Sequence, residues 1–209
     1  FKQWAERLRA HAQSDALRGE LAYWLSDARN EAPRFPVDSA GAVDTQASAQ
    51  VVNVALEPEE TQALLHEVPK AYQTQINDAL LAALLLAFRG WTGEAALLLD
   101  LEGHGREELF EDIDLTRTVG WFTTLFPVVI DVGSESDLGW VLKSVKEQLR
   151  AIPARGIGYG LLRYLREEPE IKQQLAATRD FPGVTGRITI NRERNADKPA
   201  AVVRIDRSG

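Results

Sequence analysis

The run from Ala95 to Leu101 (AALLLDL), bounded by Gly93 and Gly103, constrains the fold of this chain more than any other stretch. A nearly unbroken apolar run between glycines is the signature of a strand covered on both faces. Phe126 to Val132 (FPVVIDV) reads as a second such strand. Strands of this kind need helices to cover them, and helical periods flank both. Ile76, Leu80, Ala83, Leu84, Ala87 and Phe88 predict a helix that is apolar nearly all round and therefore interior, capped by Thr74 or Asn77 and ending near Gly90. Leu138 to Leu149 repeats with helical period and carries lysines on its outer face. The alternation implies an α/β sandwich, with a mixed sheet flanked by helices.

Around this centre the pattern is mixed. Phe1, Trp4, Leu8 and Ala12 predict an amphipathic first helix. Ser14 and Asp15 cap a second, whose stripe is Leu17, Leu21, Trp24 and Leu25. Residues 33–49 read as a surface loop, Gln50 to Leu56 as a strand, and Glu57 to Glu67 as a short helix with an acidic first turn. Gly156, Gly158 and Gly160 mark a turn that feeds a short helix, and a last helix spans Pro169 to Ala177. Beyond it, the alternating runs Arg187 to Asn191 and Ala201 to Ile205 predict a β-hairpin.

Composition removes several function classes. The formal net charge of −7 over 209 residues disfavours a nucleic-acid surface, which needs clustered Lys and Arg. With no Cys there is no thiolate metal site and no cysteine nucleophile. His11, His66 and His104 are far apart, so no helical metal-ligating pair exists and no metal is expected. Ala79 to Phe88 is too short to span a bilayer, no basic segment leads into an apolar run as in a signal peptide, and the default expectation is a cytoplasmic protein with no membrane partner.

The candidates for chemistry lie at the end of the first strand. Glu102-Gly103-His104-Gly105-Arg106-Glu107 sits where α/β proteins place functional side chains. The glycines beside His104 permit unusual backbone angles and the close approach of a substrate. Glu102 can exchange a proton if burial raises its pKa toward neutrality, whereas pairing with Arg106 would hold it ionised. The alternative is that these charges are solvated surface pairs and His104 is a turn residue. Arg117 to Thr124 (RTVGWFTT) admits the same two readings, with Trp121 and Thr123 lining a channel or Trp121 and Phe122 serving as core. The GIGYG stretch around Tyr159 lacks the Lys-Ser/Thr of a phosphate loop, and Asn77 and Asp78 read as caps.

Several segments, in this order, resemble the successive motifs of the epimerization domains of nonribosomal peptide synthetases. They are Phe1 to Leu25, Gln75 to Phe88 (QINDALLAALLLAF), Leu101 to Glu107 (LEGHGRE), Arg117 to Val128 (RTVGWFTTLFPV) and Pro153 to Gly160 (PARGIGYG). More broadly they resemble the condensation-domain superfamily with its chloramphenicol-acetyltransferase-like halves. The resemblance implies a C-terminal lobe over residues 1–175 and a divergent tail over 176–209. It implies inversion at the α-carbon of an aminoacyl or peptidyl thioester, tethered through phosphopantetheine to a peptidyl carrier protein, with no cofactor bound directly to this chain.

By the same resemblance, Glu102 is one of two acid/base groups, and Asn77, Asp78, His104, Arg106, Arg117, Trp121, Thr123 and Tyr159 line the substrate and carrier channel. The second group is a histidine in a His-His-x-x-x-Asp motif, and this chain has no adjacent His pair. The resemblance therefore implies a partner, the N-terminal lobe carrying that motif, and an activity that does not reside in this chain alone. Two alternatives stay open, a lobe of a peptide-forming condensation domain and a noncatalytic module that docks carrier proteins. The stretch from Leu175 to Ile205 resembles the C-terminal piece of periplasmic branched-chain amino-acid binding proteins, or else completes the sheet as a hairpin.

Overall fold

A computed structural model of the protein describes residues 1–33, 36, 51–176, 181–183, 186–190 and 196–197. The first helix, α1, spans Lys2–His11 and buries Trp4. Where one helix is expected next, there are two short ones, α2 (Asp15–Arg18) and α3 (Leu21–Trp24). Ser14 caps α2, its hydroxyl accepting from the Leu17 N–H at 3.2 Å, and Gly19 and Glu20 separate the pair. Leu17 and Trp24 are nevertheless buried, as one apolar stripe requires. A fourth short helix, α4, covers Ala28–Glu31.

The strand expected at 50–56 is absent over its described part. Residues 51–57 form no regular structure, and Val52 and Val54 are exposed. Alternation marks a strand only where one face meets a partner surface, and these side chains meet none. Helix α5 (Pro58–Gln62) begins with a reciprocal capping box between Glu57 and Glu60 and runs through a π turn (Ala63–Glu67) into α6 (Val68–Tyr72). Helix α7 (Ile76–Thr92) is capped by Gln75, whose N–H donates to the Asp78 carboxylate at 2.8 Å, not by Thr74 or Asn77. It passes through Gly90 to end at Gly93, a residue with φ of 80°. It is also not apolar all round in its setting, because Leu80, Leu84 and Trp91 are exposed while Ala82, Leu85 and Phe88 are buried.

Strands β1 (Ala96–Gly103) and β2 (Thr124–Asp131) pair in a two-stranded sheet. Leu97, Leu98 and Leu99 are buried in succession, as are Phe126 and Val128, so the apolar runs mark covered strands as read from sequence. Helix α8 follows (Leu138–Arg150), then a 3-10 turn (Pro153–Gly156), α9 (Ile157–Gly160), a π turn (Leu161–Leu165) and α10 (Pro169–Ala176). Strands β3 (Phe181–Gly183), β4 (Gly186–Ile190) and β5 (Ala196–Asp197) pair antiparallel in that order, with Thr189 opposite Asp197. The fold is α/β, but its described strands lie in two separate sheets rather than in one mixed sheet. The expected hairpin thus differs in partner, and Ala201 to Ile205 lies outside the described residues, as does most of the 33–49 loop.

The chain divides into two compact units, the first built from Phe1–Ala32, Leu98–Ile130 and Glu147–Thr178, the second from Pro33–Leu97, Asp131–Lys146 and Arg179–Gly209. The second unit ties α7 to the segment after β2 through Arg89, which donates to the Glu135 carbonyl. Val132 closes on Ala95 with an N–H to carbonyl bond of 3.4 Å.

In the first unit, Trp4, Leu115, Phe122 and Ile157 form a buried cluster flanked by Leu8, Leu109, Phe110 and Ile113. A second group sets Trp24 against Phe126 and Tyr159, with ring centroids 6.2 and 5.4 Å away. Arg166 is 3% exposed and joins the ends of this unit, donating to the carbonyls of Ala12 (3.2 Å) and Ser14 (3.1 Å) and to the Glu168 carboxylate. Glu20 accepts from the Trp24 indole at 2.9 Å, and burial pushes its carboxyl above the usual range.

Two stability measurements follow from the first unit. Arg166→Met keeps the stem but leaves the buried Ala12 carbonyl without its guanidinium donor and takes one of two donors from the Ser14 carbonyl, and urea denaturation should show a loss of about 1–3 kcal/mol. Because the folded state prefers protonated Glu20, its contribution is full below the unfolded carboxyl pKa of about 4.3 and is lost as pH rises. Glu20→Gln, which keeps an acceptor for the indole, should therefore match the parent at low pH and exceed it in midpoint at neutral pH.

Candidate functional site

The end of β1 carries Glu102 and Gly103 and leads His104 and Gly105 out of the sheet in the first unit, and the packing around the two glycines fixes their path. A Cβ on Gly103 would lie 2.7 Å from the Thr124 hydroxyl. On Gly105, at φ of 68°, it would lie 1.6 Å from the Phe122 carbonyl oxygen. The space that these glycines leave is thus filled by the start of β2 and the residues before it. The reading in which glycines admit a substrate is replaced, at Gly105, by one in which they admit the protein's own backbone.

Within that path the side chains separate. Glu102 is exposed, and Arg106 does not pair with it. The Arg106 guanidinium instead donates to the carbonyls of Leu115 (2.6 Å) and Thr118 (2.8 Å) and lies 4.0 Å from the centroid of the Phe122 ring. Arg106 is therefore a strap for the segment between the strands. His104 accepts from the Arg106 N–H at its Nδ1 (3.0 Å), so the neutral ring carries its proton on Nε2, which faces Glu107 Oε1 at 3.5 Å. The other oxygen of Glu107 faces Arg155 Nε at 3.6 Å.

The channel candidates of the RTVGWFTT stretch are open to solvent. Arg117 and Thr123 are exposed, and Trp121 is 84% exposed beside Val119 at 95%. Phe122 points the other way, buried with its ring 5.3 Å from that of Phe1. The two readings of this stretch thus divide residue by residue: Phe122 is core and Trp121 is surface. Tyr159 is buried, its hydroxyl accepting from Arg163 at 2.6 Å, and burial raises its pKa. Asn77 and Asp78 belong to the other unit, where Asp78 is buried as the capping partner of Gln75 and Asn77 is exposed.

The turn before Tyr159 is strained. Ala154, Arg155 and Gly156 all have positive φ (42°, 51° and 87°), and for the two non-glycine residues this costs of order 1–3 kcal/mol each. A Cβ on Gly156 would meet the Phe126 ring at 2.2 Å, and one on Gly158 the Glu20 carboxylate at 2.0 Å. Gly156 and Gly158 are thus packing residues, whereas a Cβ on Gly160 would meet nothing within 4 Å. A cavity of about 440 Å³ is lined by the segment from Arg106 to Thr116, with Phe110, Ile113 and Leu115 as its apolar members. Neither Glu102 nor Trp121 lines it.

Sequence reasoning missed Glu107 and Arg155 as a pair and Thr124 as a neighbour of Gly103. Both members of the pair stand inside quoted motifs, but only the fold brings residue 107 to residue 155. The Thr124 hydroxyl is buried without a hydrogen-bond partner among the described residues. Among those residues no cluster of three carboxylate or imidazole groups is placed to hold a metal ion, and no helix is long and apolar enough to cross a membrane.

Comparison with known proteins gives this geometry a context. The sequence profile of the Condensation domain family matches residues 1–177. A linear gramicidin synthase protein from Brevibacillus parabrevis is 52% identical over 179 residues, covering 85% of this chain and 2% of that protein. Bacitracin synthase 2 from Bacillus licheniformis is 45% identical over 168 residues, covering 80% of this chain and 6% of that protein. The chain thus spans a small part of the curated relatives it matches. Among solved structures, the epimerization domain from the third module of tyrocidine synthetase B aligns with a TM-score of 0.74 at 40% identity, over 86% of this chain and 40% of that one. The first condensation domain of the calcium-dependent antibiotic synthetase shares the fold, with a TM-score of 0.54 at 19% identity over 72% of this chain and 32% of that one.

The packing at Gly105 and the exposure of Trp121 predict opposite responses to substitution. Gly105→Ala should lower the denaturation midpoint by an amount worth at least about 1 kcal/mol, from the left-handed backbone alone. Trp121→Ala should leave stability within about 0.5 kcal/mol of the parent in the same assay.

Proposed function

Because this chain belongs to the condensation-domain family, we propose that it is the lobe of an epimerization domain that presents Glu102 to the α-carbon of a carrier-bound aminoacyl or peptidyl thioester. Inversion removes the α-proton on one face and returns a proton on the other, so it needs two acid/base groups on opposite sides of one carbon. Glu102 is the one this chain offers. The observation that carries the reading is its placement: an exposed carboxylate at the end of a buried strand, beside a neighbouring arginine whose guanidinium is held by two backbone carbonyls. A carboxylate not neutralised by Arg106 is available to take a proton from carbon once a substrate and a covering lobe exclude water.

The other residues divide into two tasks. His104, Arg117, Trp121 and Thr123 are accessible and form the wall that a phosphopantetheine arm would pass; Trp121 supplies apolar area and Thr123 a hydroxyl for its amides. Arg106 keeps that wall in place from behind through Leu115, Thr118 and Phe122, while Tyr159 is buried against Trp24. The epimerization reading is preferred to condensation because 40% identity and a TM-score of 0.74 accompany the likeness to an epimerization domain. The second acid/base group, a histidine, is contributed by a partner lobe, and the thioester by a peptidyl carrier protein.

The test combines this chain with a histidine-bearing lobe and a loaded carrier protein in deuterated buffer. Deuterium should enter the α-carbon, and Glu102→Gln should abolish its entry while leaving the denaturation midpoint unchanged. Peptide-bond formation with a second loaded carrier, and no exchange, would favour condensation. Carrier binding with neither reaction would favour a docking module.

A further inference from the structure

The pairing of Glu107 with Arg155 joins two segments that are far apart in sequence and meet at the proposed site. The Glu107 side chain is only 12% exposed, whereas those of its partners His104 and Arg155 are 61% and 76% exposed. A carboxylate drawn from water is held by what it faces, and here it faces one group on its own loop and one on the 3-10 turn. That turn lies against the end of β1, since a Cβ on Gly103, next to Glu102, would stand 3.7 Å from the Arg155 carbonyl oxygen. The Arg155 backbone is left-handed, and such a conformation persists only where its surroundings hold it.

We propose that Glu107 is a positioning residue: by fastening Arg155 and the His104 ring to the loop after β1, it holds Glu102 at the angle that proton transfer from carbon requires. This rests on the epimerization reading of the site. The mechanism is geometric, because Glu107 takes up no proton from substrate. Its carboxylate orients His104 from Nε2 while the Arg106 N–H fixes Nδ1, so the ring is held at both nitrogens and the backbone between residues 102 and 107 is held with it. The cost of releasing it falls on the chemical step, because Arg117, Trp121 and Thr123, which Glu107 does not hold, still present the wall to the carrier's arm.

The experiment measures α-carbon deuterium exchange by the complete chain with a histidine-bearing lobe and loaded carrier. It compares Glu107→Gln, Arg155→Gln, the double variant and Glu102→Gln. Glu107→Gln should lower kcat roughly 10- to 100-fold, with the KM for loaded carrier within about 2-fold of the parent. Arg155→Gln should lower kcat in the same direction, and the double variant should fall short of the product of the two single losses, as expected for groups acting as a unit. Arg155 is exposed, so its variant decides the matter if Glu107→Gln does not fold. Full kcat in both single variants, a loss confined to KM, or losses that multiply would overturn the proposal. No exchange by the parent would overturn the epimerization reading itself, and exchange that survives Glu102→Gln would overturn the role of Glu102, whereas loss in Glu102→Gln alone, with Glu107 and Arg155 variants unaffected, would sink only the positioning role.

Discussion

A long segment without regular secondary structure joins the two core strands, and its backbone groups must find partners outside any ladder. One guanidinium supplies two of them. Arg106 donates to the carbonyls of Leu115 and Thr118 and stacks on Phe122, which fixes the segment along much of its length from a single anchor at the end of β1. The cluster of Trp4, Leu115, Phe122 and Ile157 depends on that placement, because two of its four members lie on the segment being held. A planar fork with several donors suits this task; a lysine would offer one point charge and no flat face to lay on the ring.

The same strap explains how charge is distributed at the site. A strand terminus that delivers Glu102, His104, Arg106 and Glu107 within six residues could neutralise itself by local pairing. Instead only His104 and Glu107 meet locally: Arg106 turns to backbone carbonyls, Glu107 reaches on to Arg155, and Glu102 faces solvent. Gly105, at positive φ, turns the chain between His104 and Arg106.

Much of the fold was legible because burial on both faces leaves a strong trace in sequence. Leu97 to Leu99 and Phe126 to Val128 could hardly be anything but covered strands, and Trp4, Leu17 and Trp24 lie on the stripes that helical period assigns them. The misreadings have physical causes. Gln50 to Leu56 alternates like a strand, yet over its described part no partner strand gives the alternation meaning. The apolar α7 exposes Leu80 and Leu84 because composition reports what a helix can bury, not what lies beside it. At the site, residue types placed Glu102 and Trp121 among the candidates, but the commitment of Arg106 to carbonyls and the meeting of Glu107 with Arg155 depend on long-range folding, which no local pattern encodes.

The close approach at Gly105 has a bearing on how such a site can change. With the Phe122 carbonyl where any side-chain carbon would stand, that corner of the loop admits no alternative residue without moving the backbone at residue 105 or 122. Heritable variation in what the site accommodates is thereby channelled away from the turn and onto positions such as Arg117, Val119, Trp121 and Thr123, whose side chains are exposed and carry little of the packing. A rigid corner beside a freely substitutable edge is an arrangement in which the carboxylate at the strand end stays put while the surface around it diversifies.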